Sequence, residues 1–221
     1  MSWLPGIWFY RLVDIGGSVK NMFILSIYKL IMKVHFCIEI LMNISIILVY
    51  IILTYVRLCK EVVSMYDVLD ICRYIINYSN EQGYDISNLK LQKLLYFVQA
   101  FFLIISDGKK PCFGEEIEAW DFGPVVPRAY HQYKRYGNMD IPVIIRYYEK
   151  DERGHLLKRI YNRNCISKND RKEIRDVVDE FRDYTASDLV ELTHSQDPWK
   201  DAYEPYMNNP ISNEAILRYF S

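Results

Sequence analysis

The stretch Ser87-Asn88-Leu89-Lys90-Leu91-Gln92-Lys93-Leu94-Leu95-Tyr96-Phe97 fixes one local structure more firmly than any other part of the chain. Leu91, Leu94, Leu95, Val98 and Phe102 recur at the spacing that places side chains on one face of a 3.6-period helix. Ser87 stands where an N-cap is expected, with a hydroxyl able to accept from an amide of the first turn. Lys90, Gln92, Lys93 and Gln99 punctuate the apolar stripe and read as a polar flank beside it. A helix with so wide an apolar face needs other elements to cover it, so the rest of the fold is expected to gather around this one.

The flanking residues supply those elements. Tyr66–Ser79 reads as a helix through Val68, Ile71, Cys72 and Ile75, ended by Asn80–Gly83, where Gly83 can take the left-handed cap conformation. A short connection, Asp85–Ser87, makes the two helices an antiparallel pair. Ile117–Phe122 reads as a short strand, Gly123-Pro124 as a turn, and Pro127 as the first turn of a helix over Arg128–Tyr136 stopped by Gly137. Ile141–Tyr148 and Leu156–Tyr161 have strand character, with Asp151–Gly154 between them as a hairpin turn. Ser167 with Asp170, and Thr185 with Asp188, have capping-box spacing. Ile174, Val177, Val178 and Phe181 form a stripe after the first; after the second, Thr193-His194 reads as a helix end, Pro198-Trp199 as a break, and Asn213–Phe220 as a last helix. The expected class is mainly α: a compact helical domain over 65–221 with a small β-hairpin or strand element.

Residues 1–64 stand apart. They carry six Lys or Arg against three Asp or Glu, whereas the remainder is net −4 within a chain of net −1. Ile40–Val56 is a run of seventeen uncharged residues, at the lower end of the ~20 that a membrane-spanning helix uses. Two expectations follow, beside that of a soluble helical extension. In one, the segment is an apolar helix that anchors the protein to a membrane. In the other it is upstream sequence: Lys60-Glu61-Val62 can be encoded as a ribosome-binding site placed about seven nucleotides before a start codon at Met65. The second makes the protein cytoplasmic, which also suits five cysteines in odd number without paired spacing, read as reduced thiols.

Familiar catalytic and metal-binding patterns are missing. The sequence has no GxGxxG, no GxxxxGK[ST], no HExxH and no paired CxxC. His131, His155 and His194 are far apart, Asp151 and His155 face each other only across a turn, and a nucleophile pair of Cys112 or Cys165 with His194 has no supporting pattern. Neither a cofactor, a metal nor a small-molecule substrate is expected. Lys90, Lys93, Arg128, Lys134 and Arg135 could form a basic patch, but a net acidic domain argues against nucleic acid. Trp120 and Trp199 read as packing residues before stacking platforms.

Three segments taken together carry a resemblance. They are Leu89-Lys90-Leu91-Gln92-Lys93-Leu94-Leu95-Tyr96, then Glu116-x-x-Ala119-Trp120-x-x-Gly123-Pro124-Val125-Val126-Pro127-x-x-Tyr130, then Leu192-Thr193-His194-x-x-x-Pro198-Trp199. In order and separation they resemble the Panacea domain of the SocA-like antitoxin family, which also holds phage-associated GepA-like proteins. The likeness covers about Met65–Phe220. It implies a non-enzymatic antitoxin of a bacterial or prophage toxin–antitoxin pair that neutralises a toxin, encoded next door, by direct contact; a SocA-like chain also raises the role of an adaptor delivering the toxin to a protease. Most of the motif residues are then structural: Leu89, Leu91, Leu94, Leu95, Tyr96, Ala119, Trp120, Gly123, Pro124, Val125, Val126, Pro127, Leu192, Thr193, His194, Pro198 and Trp199. Lys90, Gln92, Lys93 and Tyr130, expected at the surface, are the candidate toxin contacts.

Overall fold

A computed structural model describes residues 31–33, 35 and 65–221, and Val63–Ser221 form one compact unit. The apolar run Ile40–Val56 lies outside the described residues, so the anchor and start-site expectations gain nothing from the fold.

The unit is mainly α, with seven helices and five short strands between residues 65 and 221. Helix α1, Val68–Gln82, starts on Asp67, whose carboxylate accepts from Leu69 N, and ends on Gly83 at φ 74. Helix α2, Asn88–Ile105, starts on Ser87, whose hydroxyl accepts from Lys90 N. The first helix starts on Asp67, after the expected Tyr66, whereas the caps at Gly83 and Ser87 follow the sequence expectation. The surroundings of α2 do not. Instead of one buried stripe, nearly every residue from Asn88 to Leu103 is buried, the polar ones included. By length and composition α2 could cross a membrane, yet it is the central pillar of the domain, enclosed by helices on several sides.

Strands β1 (Ile117–Trp120) and β2 (Gly123–Val125) form a hairpin, with Ala119 opposite Pro124 and Trp120 opposite Gly123. The turn is therefore Asp121-Phe122, two residues before the expected position, and Gly123-Pro124 opens the second strand. Pro124 is tolerated because β2 is an edge strand of the sheet β2-β1-β5, where β5 is Pro210–Ile211. Helix α3, Pro127–Tyr133, has its proline in the first turn and tightens into a 3-10 turn over Lys134–Tyr136.

The second hairpin, β3 (Arg146–Lys150) and β4 (Leu156–Ile160), forms a separate two-stranded sheet. It begins later than Ile141 because Asn77 holds the approach: its side chain accepts from Ile144 N and donates to Ile144 O. Helix α4, Lys168–Glu180, uses Ser167 as a simple cap; Asp170 turns away from the box to accept from Tyr66 Oη and Lys110 Nζ. Helix α5, Ala186–His194, carries the full capping box of Thr185 and Asp188. Pro198 opens a further short helix, α6 (Asp197–Ala202), instead of merely ending the previous one, and α7 is Asn213–Phe220.

Candidate functional site

The three motif segments, dispersed in sequence, meet at the first hairpin. From α2, Gln92 Oε1 accepts from Val126 N at 3.0 Å, and its amide nitrogen donates to Asn88 Oδ1 at 3.1 Å. Lys93 Nζ donates to Pro124 O at 3.0 Å. From α6, Trp199 Nε1 donates to Trp120 O at 3.0 Å. Gly123, at φ +92, lies so close that an added Cβ would stand 2.7 Å from Thr193 Oγ1 and 2.8 Å from Lys93 Nζ. The glycine is required twice over, by backbone conformation and by space. The Thr193 hydroxyl turns back onto its own helix, bonding Leu189 O and Val190 O.

These contacts correct the expectation for the polar flank of α2. Lys93 is 0% exposed, and Gln92 and Lys90 are buried as well. None of them is a surface contact. Lys93 and Gln92 bind the backbone of the β1–β2 hairpin and its exit, and Lys90 Nζ donates to Arg182 O at 3.1 Å. The physical reason is that each cation or amide finds a distant backbone group to satisfy it, which makes burial tolerable. Burial pulls the Lys93 amine down to about 7 and lowers Lys90 too. Arg128 pairs with Asp67 (2.7 Å) and with Glu115, and with Lys90 and Lys93 buried the basic patch these residues could have formed is not assembled.

An aromatic stack closes the far side. The His194 ring lies 4.0 Å from Trp199, and Trp199 lies 4.5 Å from Tyr203. Tyr203 Oη donates to Asp121 Oδ1 at 2.9 Å, gripping the hairpin turn itself. His194 ends α5 as expected, but its Nε2 is buried without a partner, and its pKa is lowered by burial and then by the Lys93 charge. The thiols offered as its partners are poorly suited to nucleophilic work. Burial pushes the pKa of both Cys112 and Cys165 up, opposite to the shift that activates a cysteine. Cys72 and Cys112 are free and buried; Cys165 is free and exposed. Among the described residues no group of His, Cys, Asp or Glu could hold a metal ion.

What this machinery presents is the turn Asp121-Phe122 and a groove of about 670 Å³ beside it. Trp120 and Tyr130 meet edge to face at 4.9 Å in its wall. Tyr130, the one candidate contact of the four that stays accessible, is half-buried there. Phe122, 67% exposed, and Tyr206, 95% exposed, also line it. Tyr206 has φ 69, a left-handed conformation that a bulky side chain rarely adopts. Phe122 and Tyr206 were not legible in the sequence. Phe122 looks like the last residue of a strand, and Tyr206 sits in a loop without periodicity.

A helical pillar whose buried polar groups secure one short hairpin, with an aromatic-edged groove at its turn, defines a mainly helical domain in which separate motifs share one structural purpose. Residues 91–200 match the family described as Antitoxin SocA-like, Panacea domain, and the chain belongs to that family. It is similar to the protein named Antitoxin SocA of Caulobacter vibrioides (strain NA1000 / CB15N), with 48% identity over 52 residues, 24% of this chain and 27% of that protein. The alignment thus spans about a quarter of that relative. No solved structure matches the chain.

Proposed function

We propose that the chain is an antitoxin that neutralises a cognate protein toxin by direct contact, and that the toxin docks on the groove at the Asp121-Phe122 turn. One observation carries the site. The first and third motif segments put buried atoms against the hairpin formed by the second, and the part of that hairpin left outside is an exposed phenylalanine beside an aromatic groove. Interfaces draw their binding energy from a few aromatic anchors held rigidly before the partner arrives. The clamp from Gln92, Lys93, Trp199 and Tyr203 supplies that rigidity to Phe122. The free core thiols Cys72 and Cys112 support a cytoplasmic site of action.

The test is co-expression with the adjacent gene. Induced alone, its product should arrest growth, and the full chain should restore it. Phe122→Ala with Tyr206→Ala should weaken complex formation by about 30-fold or more, on the scale of an interface anchor, while the helical circular dichroism stays unchanged. An adjacent product that is harmless, or a chain that fails to rescue, overturns the antitoxin reading. Rescue and affinity untouched by the double substitution overturn the groove as the docking site.

A further inference from the structure

The second hairpin shares no residue with the groove, and its outer face is unlike the rest of this acidic domain. Antiparallel register pairs Arg146 with Ile160, Tyr148 with Lys158 and Lys150 with Leu156. Because side chains alternate along a strand, these six residues project from one face, and all six are exposed. Each of the three cross-strand pairs on this face combines one cation with one large apolar group. Tyr148 is 64%, Leu156 67% and Ile160 70% exposed. Among the described residues Arg146, Lys150 and Lys158 have no ion-pair partner. Two of the hairpin's three carboxylates are engaged elsewhere: Glu149 pairs with Arg159 on the opposite face, and Asp151 accepts from the Arg153 and His155 amides in the turn, where Glu152 also lies.

The backbone is open too. The sheet has two strands only, so each has an outer edge, and among the described residues no backbone group of Arg146–Lys150 or Leu156–Ile160 bonds outside the pair except at its ends. An unpaired edge is a template for a further strand.

We infer that the β3–β4 hairpin is a docking edge for an extended segment of a partner protein whose carboxylates and apolar side chains alternate at every second residue. A strand added to β3 in register sets a carboxylate beside Arg146, an apolar group beside Tyr148 and a carboxylate beside Lys150. Main-chain bonds supply affinity, and the alternating pairs fix register and direction. Nucleic acid fits less well. Phosphates would engage three cations, leave three apolar groups in water and approach a domain of net charge −4. An anionic lipid surface fits less well for a geometric reason. Membrane-binding faces separate apolar from basic residues by depth, whereas here each pair holds both at one level.

The partner need not be known for the test. A fluorescent peptide with Glu-Thr-Leu-Thr-Glu-Thr-Leu-Thr-Glu is titrated with the full chain by anisotropy. Parallel titrations use a peptide of the same composition with its glutamates clustered, a DNA duplex, and phosphatidylserine vesicles. The alternating peptide should bind, and affinity should fall about tenfold when salt rises from 50 to 300 mM. Arg146→Glu, Lys150→Glu and Lys158→Glu together should weaken it about 30-fold without changing the circular dichroism. N-methylation of alternate peptide bonds should abolish binding, because the edge bonds are then blocked. No binding of the alternating peptide, equal binding of the clustered one, or tighter binding of DNA or vesicles overturns the proposal. Growth rescue by the triple variant bears only on the toxin reading, so the two fail separately.

Discussion

The two hairpins of this domain invert the usual relation between strand length and security. The longer one has five cross-strand pairs and stands at the surface, secured at its approach by Asn77 and on its inner face by Arg73 over the Tyr147 ring at 3.8 Å. The shorter one has three pairs, yet β2 is buried throughout and bonded by side chains from α2. Ladder bonds alone do not set the stability of a hairpin. A buried side chain that satisfies a backbone group fixes it more firmly, because losing that side chain leaves a polar group stranded away from water. The hairpin rich in family motifs is the one held from within; the other is held mostly by itself.

Substitutions can break that contrast in a graded way. The largest effect is expected from Gly123→Ala, which adds a methyl 2.7 Å from Thr193 Oγ1 in a backbone conformation unsuited to it. Loss of about 3 kcal/mol or more, or no folded protein, should be seen in urea unfolding. Next is Gln92→Ala, which strands the buried Val126 amide and should cost about 1–3 kcal/mol. Lys93→Met should show its effect as a pH dependence. The folded amine is held at about 7, below its unfolded value, so the unfolded state binds more protons above neutrality. Stability from this residue is therefore lowest below pH 7 and rises with pH. Between pH 7 and 9 wild type should gain about 2 kcal/mol relative to the methionine variant. A flat difference between the two proteins across that window would remove Lys93 as a titrating group. The smallest effect belongs to the outer hairpin: Tyr148→Thr, on a strand surface facing water, should change stability by less than about 0.5 kcal/mol.

The sequence was most legible where structure is local. Ser87 and Thr185 as caps, Gly83 as a stop and the limits of α2 all follow from neighbouring residues. The polar residues of α2 were misread for a reason that applies beyond this chain. Lys90, Gln92 and Lys93 look like a solvated flank because their partners, Arg182 O, Val126 N and Pro124 O, are backbone atoms 31 to 92 positions away. Distant backbone groups leave no mark in a sequence. The turn at Asp121-Phe122 was missed because Gly-Pro is a stronger turn signal than the pair before it; burial of the glycine against Thr193 decided otherwise. The site was legible as motifs and illegible as a surface: Trp120 and Tyr130 lie within the motif segments, while Phe122 and Tyr206 line the same groove from positions without pattern.

Gln99 on α2 ties the timing of synthesis to the fold. Gln99 uses its whole amide group: Oε1 accepts from Cys112 N and Phe113 N, and Nε2 donates to Phe113 O and Asn213 Oδ1. Three of these bonds can form soon after Gln99 is made, but the fourth waits for a residue 114 positions later. At ~5–20 residues per second, that interval is roughly 6 to 23 s. During it the pillar helix exists without α7, which packs on it, and the apolar surface beneath α7 is uncovered. The nascent chain is then open to chaperones and proteases for seconds, and every polypeptide must pass through that window before it is a complete domain.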